Sequence, residues 1–434
     1  LPGASFAGQL ETFLNIRGEN ALLEACQHCI ASLDTDTGFP HAVLINGAWG
    51  LGESVVQGSV DPDEFKVHKL LPSREGTRPI IAKKRGGKKR KMVYAGKGDE
   101  PIKTVETTEK ERAGFILSND EVLQLARWAV AIESHYGQPM DMEWTRDGET
   151  GELFIVQARP ETVQSRKDTG TLMSYRLKSK GKTLAEGDAI GDAIAAGPVV
   201  RLDSPDRPGQ FPGGGILVTE MTDPDWVSVM KKAAAIVTEH GGRTSHAAIV
   251  NRELGLPAVV GTGNATQVLK DSMGVTASCA EGSEGKIYDG IADFEANEIS
   301  LERIPDTDTE VMLILANPSA AMRWWRLPCD GVGLARMEFI INNHIKIHPL
   351  ALLHEARLEE DDRKTIAELT RGYDDRPQYF VDRLARGMAQ IAAVHHPRPV
   401  IVRMSDFKTN EYVELIGGAP FEPAEENPML GWRG

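Results

Sequence analysis

The segment from Thr238 to Val250 joins the end of a short apolar strand, a pair of glycines and the start of a helix. The glycines, Gly241–Gly242, permit a tight turn and a close approach of the backbone. Thr244 or Ser245 is suited to cap the following helix, which places His246 in its first turn. A buried strand that leads through a short loop into a helix is typical of an α/β domain.

The position of His246 favours phosphate chemistry. Free backbone N–H groups and the helix dipole at a helix start favour negative charge and oppose a protonated ring. A neutral imidazole can attack phosphorus, and the same dipole would stabilise the phosphoryl group that it gains. Arg243 could bind phosphate oxygens through its fork of donors. On the residues alone, a histidine that only caps or packs locally is an equal alternative.

Charge and cysteine content exclude several partners. The chain has 434 residues, with 49 Lys and Arg against 63 Asp and Glu, a net charge of −14. Such a surface repels nucleic acid and anionic membranes, so neither is an expected partner. Four cysteines are too few for a disulfide scaffold, which favours a reducing, cytoplasmic compartment. No apolar run approaches the roughly 20 residues that span a bilayer.

Composition divides the chain into three blocks, joined by two polar segments that suit linkers. The blocks are residues 1–163, 181–290 and 311–434, and the linkers are residues 164–180 and 291–310. The third block alternates strands and helices, which predicts a parallel sheet or a (β/α) barrel. A complete barrel needs about 250 residues, so only its first part is expected.

Hydrophobic periodicity predicts the individual elements. The predicted helices are Ala21–Leu33, Glu121–His135, Asp223–Lys232 and Leu350–Leu369, the last being the longest of the third block. The predicted strands are Lys66–Leu71, Pro79–Tyr94 with a hairpin turn at Gly86–Gly87, Met140–Trp144, Leu153–Ala158, Gly215–Thr219, Ala235–Thr238, Ala258–Val260, Val311–Ala316, Val332–Ala335 and Val400–Met404.

The stretch GGRTSHAAIVNRELGLPAVVG, Gly241 to Gly261, strongly resembles the phosphohistidine signature of the phosphoenolpyruvate-utilising enzymes. That family includes synthases, dikinases and the first enzyme of the sugar phosphotransferase system. The resemblance implies that His246 is transiently phosphorylated, with support for the phosphate and the helix start from Arg243, Thr244 and Ser245. The signature is more similar to the synthases than to the dikinases.

The first block resembles the ATP-grasp nucleotide-binding domain of the same family. The segments that carry this resemblance are Ala4–Gln9, Gly47–Glu53, Asp141–Trp144 and Phe154–Pro160. By resemblance, Gly8 and Thr12 lie near the nucleotide, Glu143 and Gln157 lie at its Mg²⁺ and phosphates, and Arg159 lies nearby. A carboxylate and an amide oxygen are hard ligands that suit Mg²⁺.

Two segments of the third block resemble substrate-binding strands of the family's phosphoenolpyruvate barrel. They are Gly331–Ile340 and Val402–Glu411. The resemblance implies that Arg336 and Arg403 bind the carboxylate and phosphate of the substrate. A structural arginine that pairs with a neighbouring carboxylate is the alternative.

Together these resemblances imply an α/β multidomain protein. Its parts would be a partial ATP-grasp domain, a swivelling β/β/α phosphohistidine domain and the first part of a (β/α)8 barrel. The implied reaction converts ATP, pyruvate and water to AMP, phosphoenolpyruvate and phosphate, with Mg²⁺ as the cofactor and a homodimer as an allowed assembly. The alternatives are a dikinase with phosphate as acceptor and a non-catalytic fragment that binds phosphate. An antibiotic phosphotransferase is less favoured, because it would lack the third block.

Relative to the family, the chain is expected to be truncated at both ends and to lack several dozen residues between Leu33 and Asp34. Three other patterns favour structural roles. The Cys26 and Cys29 pair lies on one face of a predicted helix and favours buried packing. The basic run Lys83–Lys91 indicates solvated strands. His344 and His348 lack the glutamate of a zinc-binding helix.

Overall fold

A computed structural model describes two compact units, Leu1–Arg303 and Ile304–Gly434. The described residues are 28–51, 55, 60–70, 78–95, 102–148, 150–161, 170–205, 211–243, 245–301, 304–305, 307–315, 317–425 and 431.

The strands are β1 His28–Ala31, β2 Ala42–Gly47, β3 Asp63–His68, β4 Ile80–Lys84, β5 Arg90–Tyr94, β6 Ile102–Glu106, β7 Met140–Arg146, β8 Leu153–Pro160, β9 Thr171–Leu177, β10 Thr183–Ile190, β11 Ile194–Arg201, β12 Ile216–Thr219, β13 Ala235–Thr238, β14 Ala258–Val260, β15 Gly274–Ser278, β16 Glu284–Asp289, β17 Phe294–Ser300, β18 Met312–Leu315, β19 Gly331–Arg336 and β20 Val400–Arg403. The α-helices are α1 Glu109–Ala113, α2 Asn119–Tyr136, α3 Val227–Met230, α4 His246–Leu254, α5 Ala265–Val268, α6 Pro318–Arg323, α7 Met337–Ile340, α8 Pro349–Leu353, α9 Glu360–Leu369, α10 Arg376–His395 and α11 Thr409–Tyr412.

The first part of unit one, which we call the sheet lobe (residues 28–161), contains a six-stranded antiparallel sheet. Its strand order is β4-β3-β2-β1-β7-β8. Helix α2 packs on β2, β3 and β7, and Leu125, Phe65 and Trp144 are buried in the core between them. Alternate residues of β7 point into this core, which leaves its acidic residues on the opposite face.

Helix α2 confirms the predicted amphipathic helix. It begins after Ser118, whose hydroxyl accepts from the backbone N–H of Glu121 at 3.3 Å. The Glu121 carboxylate accepts in return from the Ser118 N–H at 2.7 Å, which completes a capping box. The helix ends at Gly137 in the left-handed conformation.

The second part of unit one, which we call the seven-strand barrel (residues 183–289), is a closed sheet. Its strand order is β10-β14-β13-β12-β11-β15-β16, with parallel pairing from β11 through β14. Ile216 and Val218 fill the interior, whereas Leu217 and Ile236 form an outer core with Trp226 and the helices α3 and α4. The predicted strands Gly215–Thr219, Ala235–Thr238 and Ala258–Val260 are therefore confirmed.

Regular structure occurs in both segments predicted to be linkers. Strands β9 and β17 pair with each other as a two-stranded antiparallel sheet. This pairing does not determine where the domains begin and end, so the domain boundaries derived from composition stay a prediction.

Unit two contains the parallel sheet that the alternation of strands and helices predicts. Strands β18, β19 and β20 pair in parallel, in that order. Helix α10 connects β19 to β20 and buries Tyr379 and Ile391. No helix in the described ranges of either unit is both long and apolar enough to cross a membrane.

Several predictions of local structure were wrong. The end of the predicted helix Ala21–Leu33 is strand β1, which pairs with both β2 and β7 at the centre of the sheet; residues 21–27 lie outside the described residues. Such strand pairing overrides local helical spacing. Gly86–Gly87 is not a hairpin turn, because β4 pairs with β3 while β5 pairs with β6.

Two predicted helices are interrupted. Asp223–Lys232 is a 3₁₀ turn followed by the short helix α3. Leu350–Leu369 is divided into α8, a 3₁₀ turn and α9, because the backbone leaves the helical conformation at His354 and is extended at Leu358. The longest helix described in that unit is α10.

Candidate functional site

His246 is the first residue of helix α4. Gly241 has a φ of 104°, a left-handed conformation that favours glycine and turns the chain out of β13. The Ser245 hydroxyl caps the helix by accepting from the backbone N–H of Ala248 at 3.4 Å. The sequence prediction of a capped helix start at His246 is confirmed; Thr244 lies outside the described residues.

Burial favours the neutral form of the His246 imidazole. It is 5% exposed, and its Nδ1 atom lies 3.1 Å from the hydroxyl oxygen of Thr222, which follows β12. Burial lowers the pKa of His246, because removal from water disfavours the charged ring, and the nearby Asp223 offsets only part of this effect. The ring therefore remains available as a nucleophile at neutral pH.

The described contacts of the Arg243 guanidinium are to protein groups. It pairs with Asp36, lies 3.5 Å from the Glu64 carboxylate and donates to the carbonyl oxygens of Ala189 at 3.2 Å and Ser283 at 2.7 Å. Its predicted contact with phosphate stays a prediction. Asp36 carries no local motif that could have indicated this pairing.

The predicted nucleotide residues of the sheet lobe lie on one face. Glu143 is directly opposite Gln157 in the pairing of β7 with β8, and Asp141 is directly opposite Arg159. Residues directly opposite each other in an antiparallel pair point to the same side. The Arg159 Nε atom lies 3.9 Å from the Asp141 carboxylate. Gly8, predicted with these residues, lies outside the described residues, as does Thr12.

This polar face fits a cation–phosphate site. Burial raises the pKa of Glu143 and raises that of Asp141 to about 7, because neither carboxylate has enough positive charge nearby. A bound cation would favour the ionised forms of both. The described residues contain no group of three or more His, Cys, Asp or Glu that could hold a metal. The Glu143 carboxylate and the Gln157 amide oxygen are hard donors, the kind that Mg²⁺ prefers.

The two predicted substrate arginines of unit two are neighbours. Arg336 and Arg403 are partners in the parallel pairing of β19 with β20, and each ends its strand. Arg403 donates to the carboxylate of Glu338 at 2.5 Å, and this carboxylate also accepts from the backbone N–H of Asp406 at 2.9 Å. Glu338, buried just after Arg336, was not predicted as a site residue.

The other patterns have structural roles. Cys29 lies opposite Glu143 in strand β1, not on a helix, and burial raises its pKa to about 12. His348 caps helix α8 by accepting from the Leu350 N–H at 3.2 Å, and its Nε2 atom lies 2.9 Å from Glu422. The basic run is not uniformly solvated, because Lys88 is fully buried and paired with Asp63.

Family comparisons cover each of these sites. Residues 1–36 and 32–178 match the pyruvate phosphate dikinase AMP/ATP-binding domain. Residues 211–282 match the mobile domain of PEP-utilising enzymes, and residues 295–434 match their PEP-binding domain. The chain therefore belongs to the phosphoenolpyruvate-utilising enzyme family, as the signature around His246 predicts.

Several relatives of the chain within that family are synthases. The chain is 48% identical to the phosphoenolpyruvate synthase of Synechocystis sp. and 47% identical to that of Escherichia coli, with all of this chain aligned. It is 46% identical to the phosphoenolpyruvate synthase of Aquifex aeolicus. The chain spans 59%, 60% and 62% of the Synechocystis, Escherichia and Aquifex proteins, respectively.

A solved structure of Enzyme I is 29% identical over 20% of this chain and 33% of that chain, with a TM-score of 0.16. This similarity is too low to describe the fold.

Proposed function

We propose that the protein of which this chain forms part or all is a phosphoenolpyruvate synthase. The overall reaction is ATP, pyruvate and water to AMP, phosphoenolpyruvate and phosphate. The synthase relatives and the three matched domains support this proposal. The acidic surface and the small number of cysteines support a cytoplasmic location.

The observation that carries the proposal is the buried imidazole of His246 at the start of α4. Its Nδ1 atom faces the Thr222 hydroxyl, and no hydrogen-bond partner of Nε2 is found among the described residues. We assign the nucleophile to Nε2, with the Nδ1 proton donated to Thr222. Nε2 forms a bond to the β-phosphorus of ATP, the bond from that phosphorus to the bridging oxygen of the α-phosphate breaks, and AMP leaves.

Phosphate is then passed on in two steps. Water attacks the terminal phosphorus of the pyrophosphoryl group on His246 and releases free phosphate. Pyruvate loses a methyl proton to a base and becomes the enolate. The remaining phosphoryl group is then transferred to the enolate oxygen as its bond to Nε2 breaks, which gives phosphoenolpyruvate and returns the ring to its neutral state. A covalent carrier lets two separate pockets contribute to one reaction.

The nucleotide would bind on the polar face of β7 and β8. Arg159 would neutralise phosphate charge, while Glu143 and Gln157, with Asp141 beside them, would hold Mg²⁺. The cation, when bound, screens the charge of the transferring phosphates. The carboxylates with raised pKa supply the matching negative charge once they are ionised.

The acceptor would bind in unit two. Arg336 and Arg403, at the carboxyl ends of adjacent parallel strands, would bind the carboxylate and phosphate and stabilise charge on the enolate. Barrel enzymes build their active sites at these strand ends. We therefore interpret β18 to β20 as the start of a (β/α)8 barrel, and the segments 164–180 and 291–310 as the connections on which the histidine domain would swing.

Labelling with ATP that carries ³²P at the β-position tests the nucleophile. The full-length protein should acquire acid-labile label, which its His246→Ala variant should not. His240→Ala is the matched control, because His240 lies in the same loop with a side chain 43% exposed. Label that survives in His246→Ala would exclude His246 as the carrier.

The products distinguish the synthase from the dikinase. With ATP labelled at the γ-position, a synthase releases free labelled phosphate. Pyrophosphate formed only when phosphate is added would instead identify a dikinase.

A further inference from the structure

Asp36 lies in a loop that the sheet lobe holds rigidly. The Asp34 carboxylate accepts from the backbone N–H of Asp36 at 3.2 Å and of Thr37 at 2.9 Å. Its other oxygen pairs with Lys66 of β3 at 2.6 Å. Gly38 completes the turn by donating to the Asp34 carbonyl at 2.8 Å. The loop therefore presents the Asp36 carboxylate in a fixed direction.

Two arginines of the seven-strand barrel bind that carboxylate. Arg252 donates from Nε at 3.0 Å and from Nη2 at 2.6 Å to one oxygen. Arg243 pairs with the other oxygen. The side chains of Asp36, Arg243 and Arg252 are only 11%, 7% and 6% exposed. Ion pairs at such depth are screened by salt much less than surface pairs.

Both arginines are close in sequence to His246, the residue that we propose is phosphorylated. Arg243 lies in the loop that leads to His246, and Arg252 lies in helix α4, which begins at His246. Arg252 also donates to the backbone carbonyl of Arg243 at 2.5 Å. The carboxylate on the sheet lobe thus fixes the loop and the helix on either side of His246 together.

The surfaces around this contact are closely packed and complementary in charge. A Cβ atom added at Gly242 would lie 3.1 Å from Cδ of Pro62, so the glycine loop lies directly on the sheet lobe. Glu64 lies beside Arg243, and Lys84 of the sheet lobe pairs with Asp188 of the barrel. Side chains of opposite charge therefore face each other across the interface between the sheet lobe and the barrel.

We propose that Asp36 is a positioning residue, which holds the His246 loop against the sheet lobe through its simultaneous ion pairs with Arg243 and Arg252. Loss of this single carboxylate would leave two buried guanidinium groups without their shared partner, a strongly unfavourable arrangement. The loop would then separate from the sheet lobe, and His246 would be presented to the nucleotide less often. This kinetic consequence rests on the proposed function, whereas the docking itself does not.

Amide hydrogen exchange on Asp36→Asn tests the docking directly. We expect residues 34–39 and 240–247 to exchange about tenfold faster, since both sides of the contact become more exposed. Asp36→Glu, which retains the charge, should restore much of the protection. Glu186→Gln is the control, because it breaks a partly exposed ion pair of the barrel, Lys286–Glu186 at 3.2 Å, that involves none of the three residues of this contact.

The labelling of His246 by β-labelled ATP tests the consequence. We expect Asp36→Asn to slow labelling by about tenfold or more, as small displacements of a reacting group do, while Asp36→Glu and Glu186→Gln label at nearly the normal rate. Unchanged exchange in Asp36→Asn would overturn the proposal, as would a normal labelling rate despite faster exchange. If the full-length protein were not labelled at all, the proposed function would fail, and the exchange result would still decide whether Asp36 docks the loop.

Discussion

The Thr222 hydroxyl oxygen lies 3.1 Å from Nδ1 of His246, so a residue 24 positions away sets the orientation of the candidate nucleophile. Both side chains are buried, at 3% and 5% exposure. A hydrogen bond to one ring nitrogen determines which nitrogen carries the proton, and so which nitrogen can attack. In the tautomer that we propose, Nδ1 donates to Thr222, which leaves Nε2 unprotonated.

The Thr222→Val variant should weaken phosphorylation without loss of the fold. Valine has nearly the same shape but removes the acceptor, so the ring loses its preferred tautomer and orientation. A cost of about 1.4 kcal/mol, typical for a buried hydrogen bond, corresponds to about tenfold slower labelling of His246. Rapid-quench measurement of label from β-labelled ATP checks this. Thr222→Ser retains the hydroxyl and should stay near the normal rate; equal rates in both variants would contradict the assignment.

The pKa of His246 predicts a specific pH dependence. Burial holds this pKa below the ordinary value of 6.5, so the ring should stay neutral in mildly acidic solution. NMR titration of the ring protons should show a midpoint for His246 below 6.5. A midpoint at or above that value would contradict the burial argument.

Stability should depend on the same ionisation. The unfolded chain takes up a proton on His246 below about pH 6.5, whereas the folded chain resists it until a lower pH. The stability that the neutral His246 ring contributes is therefore fully present above about pH 6.5, and it is lost as the pH falls from there towards the lower pKa of the folded state. Urea unfolding at several values between about pH 7 and pH 5 should show a smaller loss of stability in His246→Gln than in the unmodified chain.

Short sequence patterns predicted the helix start at His246 and the strand that carries Glu143. The glycine pair, the Ser245 cap and the apolar run after it predicted a helix that starts at His246, and the structure has that helix. The pattern in Met140–Trp144 likewise predicted a strand, and the structure has β7 at these residues. In both cases, the signal and the structure lie within a few residues of each other.

Contacts between distant segments could not be predicted in this way. Asp36 reaches Arg243 across 207 positions and Arg252 across 216, and an isolated aspartate in a polar loop gives no sign of either. The basic run suggested solvent, yet Lys88 is buried because Asp63, 25 positions earlier, faces it. The position of β1 between β2 and β7 also depends on contacts between distant segments, because strand pairing determines it rather than the spacing of apolar residues.

Substitution of Glu338 should weaken the binding of phosphoenolpyruvate to unit two. Glu338 binds Arg403 and the backbone of Asp406, which fixes the direction of one proposed substrate arginine. Glu338→Gln retains the shape but removes the negative charge, so that the ion pair with Arg403 becomes a weaker hydrogen bond. We expect the affinity for phosphoenolpyruvate to fall by about tenfold, a loss of about 1.4 kcal/mol, as measured by calorimetric titration.

Two further variants separate this effect from general damage. Arg403→Ala should lower the affinity at least as much as Glu338→Gln, and the double variant should add little, since both substitutions act on one contact. Fully additive losses in the double variant would show that Glu338 acts independently of Arg403. Thermal unfolding of each variant gives the matching change in stability.

The buried pair of Lys88 and Asp63 should be the most sensitive charge pair of the sheet lobe. Both side chains are fully buried, and Asp63 also accepts from the backbone N–H groups of Gly86 and Ile116, at 2.9 and 2.8 Å. Lys88→Met removes the cation and leaves a buried carboxylate without its counter-charge. Urea unfolding should show a loss of about 3–5 kcal/mol.

The adjacent Lys89 provides a matched control, because it is exposed and part of the same basic run. Lys89→Met should change stability by no more than about 0.5 kcal/mol. The double variant Lys88→Met with Asp63→Asn should recover part of the loss, since a neutral amide is less costly to bury than an unpaired carboxylate. Similar stability of Lys88→Met and Lys89→Met would contradict the burial of this pair. The structure supports burial, because Lys88 also donates to the carbonyl oxygen of Gly114 at 3.0 Å.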